Sequence, residues 1–326
     1  MIALAITILY FNLNTKILVI SYSQSGQLNS LVENFTKPLA EAGSFELVFK
    51  QIEPKTAYSF PWRLMEFMDT FPESVYMEPC ELKEIEDDGY EYDLIILAYS
   101  VWFLSPSLPI SAFLQSSYAK KKLKNKPVIT LIGCRNMWIM AQEKVKKLLN
   151  SIDAVLIDNV VLIDRGNAFE TFITTPRWML TGKKDGFLLL SSAGIDESEI
   201  KNSSRFGRAL VEALHRGWHK QKLPLLKGLR AVSVDARLIK SEQIGHKSFL
   251  IWGALIRKIG KRGDKKRQIV VMIYLLFLVL MILTVVPINA LLQAILRKVN
   301  SKSVQKQKEF YEQPSGSGDD RMREFL

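Results

Sequence analysis

Strand-like and helix-like segments alternate along residues 16–217, and that order of elements leaves few folds open. The β-branched run "KILVIS" (16–21) is followed by "QLNSLVENFTKPLAEA" (27–42), in which Leu28, Leu31, Val32 and Phe35 recur at helical spacing. "FELVFKQI" (45–52) is strand-like again. "YDLIILAYS" (92–100) and "KPVITLIGC" (126–134) are bounded apolar runs, the pattern of parallel strands buried on both faces. Helical stretches at 109–116 and 137–150 follow them, and "AVLIDNVVLID" (154–164) supplies a fifth strand. A closing helix is expected over 196–217, with Asp196 as its N-cap and Gly217 as its stop. The order predicts an α/β protein with a doubly wound, five-stranded parallel sheet and no internal repeat.

In such a sheet, ligands sit beyond the carboxyl ends of the strands, where the strand order reverses. The first loop to inspect is therefore "SYSQSGQL". Ser23 and Ser25 offer hydroxyls, Gly26 allows close backbone approach, and the free N–H groups of Gln27 and Leu28 open a helix whose dipole favours an anion. There is no second glycine pair as in a dinucleotide fingerprint and no Gly-Lys-Ser/Thr, so the composition suits one phosphate. The plainer alternative is that Ser, Gln and Gly only turn the chain. "YSVWFLSPSLP" (99–109) adds Tyr99, Val101, Trp102 and Phe103 where a strand ends, and "GCRNMW" (133–138) adds Gly133, Arg135, Asn136 and Trp138. Any one of these aromatics is explained as core. Converging after three strands, they suit a planar ring that stacks on one face and takes polar contacts at its edge.

These loops resemble the flavodoxin-like family, with "SQSGQL" similar to its phosphate loop and "SVWFLSPSLP" similar to its Val-Trp-x-Gly-x-Pro loop. That resemblance implies FMN as cofactor, held by Ser23, Gln24, Ser25, Gly26, Gln27 and Leu28 at the phosphate and by Val101, Trp102, Phe103, Gly133, Asn136 and Trp138 at the ring. The chain departs from the family pattern at Leu28, where a third hydroxyl is usual, and at Phe103 and Leu104, where small residues are usual. A longer set of stretches, "FPWRLMEFMDTFPESV", "GCRNMWIMAQEK", "TTPRWMLTGKKD" and "IGHKSFLIWG", resembles the dialkylresorcinol condensing enzyme family of bacterial lipid biosynthesis. Membership implies a role in making 2,5-dialkylresorcinols beside a ketosynthase and acyl carrier proteins, without saying which step. A cyclohexane-1,3-dione lies two hydrogens above a resorcinol, so aromatisation needs an oxidant, which a flavin is. Condensation instead needs an activated Cys with a His partner, and Cys134, the one candidate near a strand end, has no His close in sequence. Aromatisation is the favoured reading, with Arg135, Tyr99 or His246 steadying an enolate oxygen or taking a proton. The alternatives are a non-catalytic scaffold or electron-transfer module, and the condensation step itself.

The remaining segments are read by position. Residues 1–15 form an apolar extension with no leading basic residue and no small-x-small cleavage site, hence not a signal peptide. Within the 16–218 domain, the insert 54–90 offers Phe, Trp and Met to wall an apolar pocket, and 165–195 is too long for an ordinary connection, which makes it a candidate lid. There Trp178 and Met179 are placed to cover alkyl chains, while Arg177, Lys183 and Lys184 suit an acidic carrier protein or simply a solvated surface. His215 and His219 stand i, i+4 across a helix end, which is weak support for a metal, and none is expected.

Lys plus Arg exceed Asp plus Glu by 44 to 33. Seven of those basic residues lie in "RKIGKRGDKKR" (257–267), within a juxtamembrane region 219–268. The next 20 residues, 269–288, carry no charge and match the length of a transmembrane helix. This placement points to anionic lipid headgroups and not to nucleic acid, and to a catalytic domain on the cytoplasmic side of the membrane. Basic residues also follow the span, which leaves a hairpin arrangement open. The tail 289–326 is expected to be largely disordered, and the two cysteines suit a reducing compartment.

Overall fold

The computed structural model describes residues 15–164, 166, 168–188, 190–284 and 301–326. The expectations for residues 1–14, and for the end of the apolar run, lie outside these.

Five parallel strands carry the fold: β1 (Thr15–Ser21), β2 (Phe45–Gln51), β3 (Leu94–Trp102), β5 (Pro127–Cys134) and β6 (Val155–Ile163), with a two-residue ribbon β4 (Ser105–Pro106) turned back antiparallel on β3. Their order is β2-β1-β3-β5-β6. This is the doubly wound flavodoxin-like order, which reverses between β1 and β3. In β3, Leu94 to Tyr99 are all buried, as are Pro127 to Ile132 in β5, because helices cover both faces.

Helix α1 (Gln27–Glu41) packs Leu28, Leu31, Val32, Phe35 and Leu39 into the core, the stripe its spacing predicts. The insert between β2 and β3 folds as two short helices, α2 (Leu64–Asp69) and α3 (Phe71–Tyr76). Helices α4 (Leu108–Leu114), α5 (Ser117–Leu123) and α6 (Ile139–Ser151) follow β4 and β5. The segment after β6 forms α7 (Ala168–Thr181).

The closing helix is split into α8 (Glu197–Asn202) and α9 (Ser204–His215) at Ser203, whose hydroxyl bonds back to the Ile200 carbonyl at 2.6 Å and bends the chain. Asp196 caps α8 by accepting from the Ser198 N–H, and Gly217 at φ 67° ends the run, as the sequence predicts. Gly207 allows α9 to lie against α1, since a Cβ there would stand 2.2 Å from the Phe35 carbonyl oxygen.

Past α9 come the long α10 (Ala236–Ile259) and the apolar α11 (Lys265–Leu283). The described part of the tail is folded, where disorder was expected. Residues 301–326 form α12 (Ser301–Glu312) and α13 (Met322–Phe325), tied to the body by the bond from the Ser315 hydroxyl to buried Asp158 at 2.7 Å and by Arg208 Nε on the Phe325 carbonyl at 2.7 Å. Its Ser, Gly and charged residues read as solvated because the partners that hold it lie 68 to 157 positions away in the chain.

Glu242 on α10 is fully buried and accepts the Met140 N–H at 2.7 Å at the start of α6, while its second oxygen has no partner. Burial raises its carboxyl to about 7. The folded state thus holds a proton that the unfolded chain releases near its ordinary value of about 4.3. The resulting stability is fully present below that value and is lost as pH rises to about 7, an effect on the order of 3 kcal/mol. Asp158, raised by burial to about 6, acts with the same sign over a narrower window. Glu242→Gln is expected to flatten this part of the stability profile and to raise the melting temperature at pH 8, read by thermal unfolding at a series of pH values.

Candidate functional site

A cavity of about 340 Å³ opens beyond the carboxyl ends of β1, β3 and β5, at the point where the strand order reverses. Its floor is the loop that joins β1 to α1. Gly26 is the N-cap of α1 with φ 84°, a left-handed conformation that glycine adopts freely, and it supplies no side-chain cap. Gln27 and Leu28 line the cavity, and the first N–H groups of α1 have no acceptor within the helix. Ser23 lines the wall, and its Oγ is buried with no hydrogen-bond partner, as is Oγ1 of Thr175, another lining residue. The orphaned Ser23 hydroxyl and an uncapped helix of 15 residues are the kind of donors that an anionic group would satisfy.

Gln24 and Gln27 line the same loop, but their amides are engaged. Gln24 donates to the Ser59 carbonyl at 2.7 Å and accepts from Trp62 Nε1 at 2.9 Å. Gln27 accepts the Ile195 N–H at 3.2 Å and donates to the Ile195 carbonyl at 3.4 Å. They staple the insert and the 165–195 segment to the loop and leave the backbone and the serines to face a ligand.

The aromatic wall is assembled from three segments. Phe60, Trp62 and Phe67 come from the insert, Trp102 and Phe103 from the end of β3, and Trp178 and Met179 from α7. Trp62 packs edge-on to Trp102 at 5.5 Å, Phe60 to Trp178 at 6.0 Å, and the Trp62 N–H donates to the Met179 carbonyl at 2.8 Å. Phe103 and Leu104 both hold positive φ, 49° and 57°, in the tight turn that reverses β3 into β4. That turn type normally takes Asn-Gly, and a bulky residue at positive φ costs about 1–3 kcal/mol. Stacking of Phe103 on Phe67 at 4.6 Å, with Phe71 edge-on at 5.3 Å, offsets it.

Arg135 lines the cavity from the loop after β5, where Nε donates to Thr171 Oγ1 at 3.0 Å and the guanidinium lies 5.5 Å from the Phe172 ring. Burial lowers its pKa, opposed by Asp164, yet the group stays a cation. Asp164 is committed to backbone, accepting the N–H groups of Gly166 and Gly194 at 2.9 Å each. Cys134 also touches the cavity, but burial, then the Glu242 and Asp164 carboxylates, push its thiol upward, the opposite of what a nucleophile needs.

The expected site residues are thus partly brought together. Ser23, Gln24, Ser25, Gln27, Leu28, Val101, Trp102, Phe103, Gly133 and Arg135 line the cavity. Asn136 and Trp138 do not, because the chain turns at Met137, φ 51°, and buries Trp138 as the N-cap of α6. Tyr99 is corrected as well. Strand alternation sends it to the face under α6, where its hydroxyl donates to Gln142 at 2.5 Å and burial pushes its pKa far up. His246 lies on α10 near Lys144 and Lys147, away from the cavity wall, with burial lowering its pKa. Thr175, Pro176 and Ile195 join the wall unforeseen.

No protein-family model and no curated protein matches the chain. Among solved structures it is similar to a protein from Bacteroides eggerthii described as a flavoprotein, with 18% identity over 46% of this chain and 89% of that one and a TM-score of 0.37. It is also similar to a flavoprotein in complex with FMN from Lactobacillus acidophilus, 18% identical over 45% of this chain and 93% of that one, with a TM-score of 0.36. A protein from Klebsiella pneumoniae described as a quinone reductase is 12% identical over 70% of this chain and 93% of that one, with a TM-score of 0.32. The architecture is read from the strand order and not from these likenesses.

Proposed function

We propose that the chain is an FMN-dependent oxidoreductase held at a membrane, and that it oxidises a dialkylcyclohexane-1,3-dione to a dialkylresorcinol. The observation that carries the reading is the cavity itself, which sets an uncapped helix start and the unpartnered Ser23 hydroxyl beside a wall of aromatic rings. Ser23, Ser25 and the backbone at Gly26 to Leu28 would hold the phosphate, with Trp102 and Phe103 beside the ring. The bound group would supply two-electron oxidation.

The remaining work belongs to the chain. The dione gives up one proton and one hydride equivalent, then tautomerises to the aromatic ring. Arg135, a cation held on the cavity wall by its bond to Thr171, favours the enolate over the neutral dione and so lowers the cost of removing the proton from the ring carbon. Phe60, Trp62, Phe67, Trp178 and Met179 exclude water and accept alkyl chains. The apolar wall favours an enzyme over a bare electron-transfer module, and the raised Cys134 thiol speaks against condensation at this site. A ketosynthase and its carrier proteins would deliver the precursor, and the exposed Lys183 suits an acidic carrier, whereas Arg177 is engaged within its own segment by the Asp185 carbonyl at 2.7 Å. Placement on the cytoplasmic side is supported by the basic residues at the start of α11, which suit the anionic cytoplasmic leaflet.

The test is the full chain purified in detergent. Flavin is expected to co-purify or to titrate in, and anaerobic addition of the dione is expected to bleach it. Arg135→Met should keep the flavin and slow bleaching on the order of a hundredfold, the loss typical of one fixed charge-stabilising group. No affinity for FMN would overturn the reading, and unchanged bleaching in the variant would remove Arg135 from the mechanism.

A further inference from the structure

Helix α11 has 19 residues, about 28 Å of rise, and its sides differ. Val271 and Tyr274 are buried, Tyr274 stacking on Phe71 of α3 at 4.5 Å and lying 5.2 Å from Trp252 of α10. The other sides are open. Ile269, Leu276, Leu280 and Leu283 are each more than 60% exposed, and so is Ile251 of α10, next in the chain to Trp252, which packs on α11. A soluble protein has no use for such a surface on its longest apolar helix. The flank carries Lys261, Arg262, Lys265 and Lys266, all exposed, the charge that anionic headgroups attract.

Both ends of the segment that contains α11 are fixed to the same folded body. At the near end, Arg267 is 1% exposed and binds Asp69 through Nε at 2.6 Å and Glu73 through both terminal nitrogens at 2.7 and 2.6 Å, while the Gly263 N–H donates to Asp69 at 2.7 Å. At the far end, the Ser315 hydroxyl bridges Asp158 and the Asn159 N–H, each at 2.7 Å. The Val234 N–H donates to Glu312 at 3.2 Å, and the Arg321 N–H to the Gly228 carbonyl at 2.9 Å. A chain that crossed the bilayer once would strand residues 301–326 on the opposite side from Asp158. Two crossings need about 40 apolar residues, whereas residues 268–301 number 34.

From this juxtaposition we propose that α11 inserts into a phospholipid bilayer from one side and does not carry the chain across it, so that the catalytic domain and the C-terminus lie on the same side. The membrane contact is then monotopic. Its lipid face is the exposed side of α11 together with Ile251, and the basic turn at 261–266 meets the headgroups. The topology stands or falls independently of the flavin chemistry, since it rests on the anchors at Arg267 and Ser315.

The experiment uses the full chain expressed in bacterial membranes, with Lys37→Cys reporting the domain and Lys306→Cys reporting the tail, both at exposed positions. A membrane-impermeant maleimide is applied to spheroplasts and to inverted vesicles, with the unsubstituted protein giving the background from Cys80 and Cys134. Both substituted cysteines are expected to label in the same preparation and to lose labelling in the other. Labelling of Lys306→Cys from the side opposite Lys37→Cys would overturn the one-sided topology. Recovery of the chain in the soluble fraction without detergent would overturn its insertion altogether.

Discussion

Replacing Ser23 by alanine is expected to raise the stability of the flavin-free protein and to weaken its hold on FMN. The two effects have one cause. Ser23 Oγ is buried with no partner, so the folded apoprotein carries the desolvation cost of a hydroxyl that water satisfies in the unfolded chain. Removing it should add about 1 kcal/mol, a rise of roughly 2 °C in melting temperature for a chain of this size. A phosphate at the α1 N-terminus would supply the missing acceptor, and a hydrogen bond to a charged group contributes about 1.5–3 kcal/mol. Its loss should weaken FMN by roughly tenfold to a hundredfold, measured by fluorescence quenching. If the variant proves less stable without flavin and binds flavin as before, the loop is a turn and not a cradle.

Arg267→Met is expected to have the largest effect on stability of any single change at the base of α11. Its guanidinium is buried between Asp69 and Glu73, and Asp69 is itself only 3% exposed. Methionine fills most of the volume but leaves two carboxylates facing one another without a cation, which costs about 3–5 kcal/mol when one partner of a buried pair is removed. In detergent this should lower the melting temperature by roughly 10 °C. The triple variant with Asp69→Asn and Glu73→Gln is expected to recover most of the loss, because it removes the uncompensated charge along with the pair. A single-variant cost below about 1 kcal/mol, the value of an exposed pair, would mean that the triad does not form. Since α2 and α3 also present Phe67 and Phe71 to the cavity turn at Phe103, the same change is expected to loosen the aromatic wall.

The sheet and its helices were legible because their signals are local. Leu28, Leu31, Val32 and Phe35 repeat at helical spacing, the buried strands are continuous apolar runs, and Asp196 and Gly217 mark helix ends, the one by the acceptor oxygens of its carboxylate and the other by its left-handed freedom. The loops after β1, β3 and β5 were legible as a site for the related reason that in a doubly wound sheet the strand ends converge. Tyr99 and His246 were not. Tyr99 belongs to the right strand, but its placement depends on which face its parity reaches, and the end of β3 is bent by the turn at Phe103 and Leu104. His246 precedes the membrane region in sequence, yet α10 carries it beside Lys144 and Lys147 and off the cavity lining.

The amino-acid order alone determined the parallel α/β layers, the serine and glycine loop at the switch point and the apolar helix with its basic flank, because each depends on neighbours within a few residues. Tertiary structure alone decided that Phe60, Trp62 and Phe67 meet Trp178 and Met179 around one cavity, that Gln24 and Gln27 serve as staples, and that the tail returns to Asp158. These contacts join residues tens to more than 150 positions apart. No local preference encodes such a pairing: a buried carboxylate selects the serine that reaches it only once the sheet, the insert and the long helices have brought both to the same place.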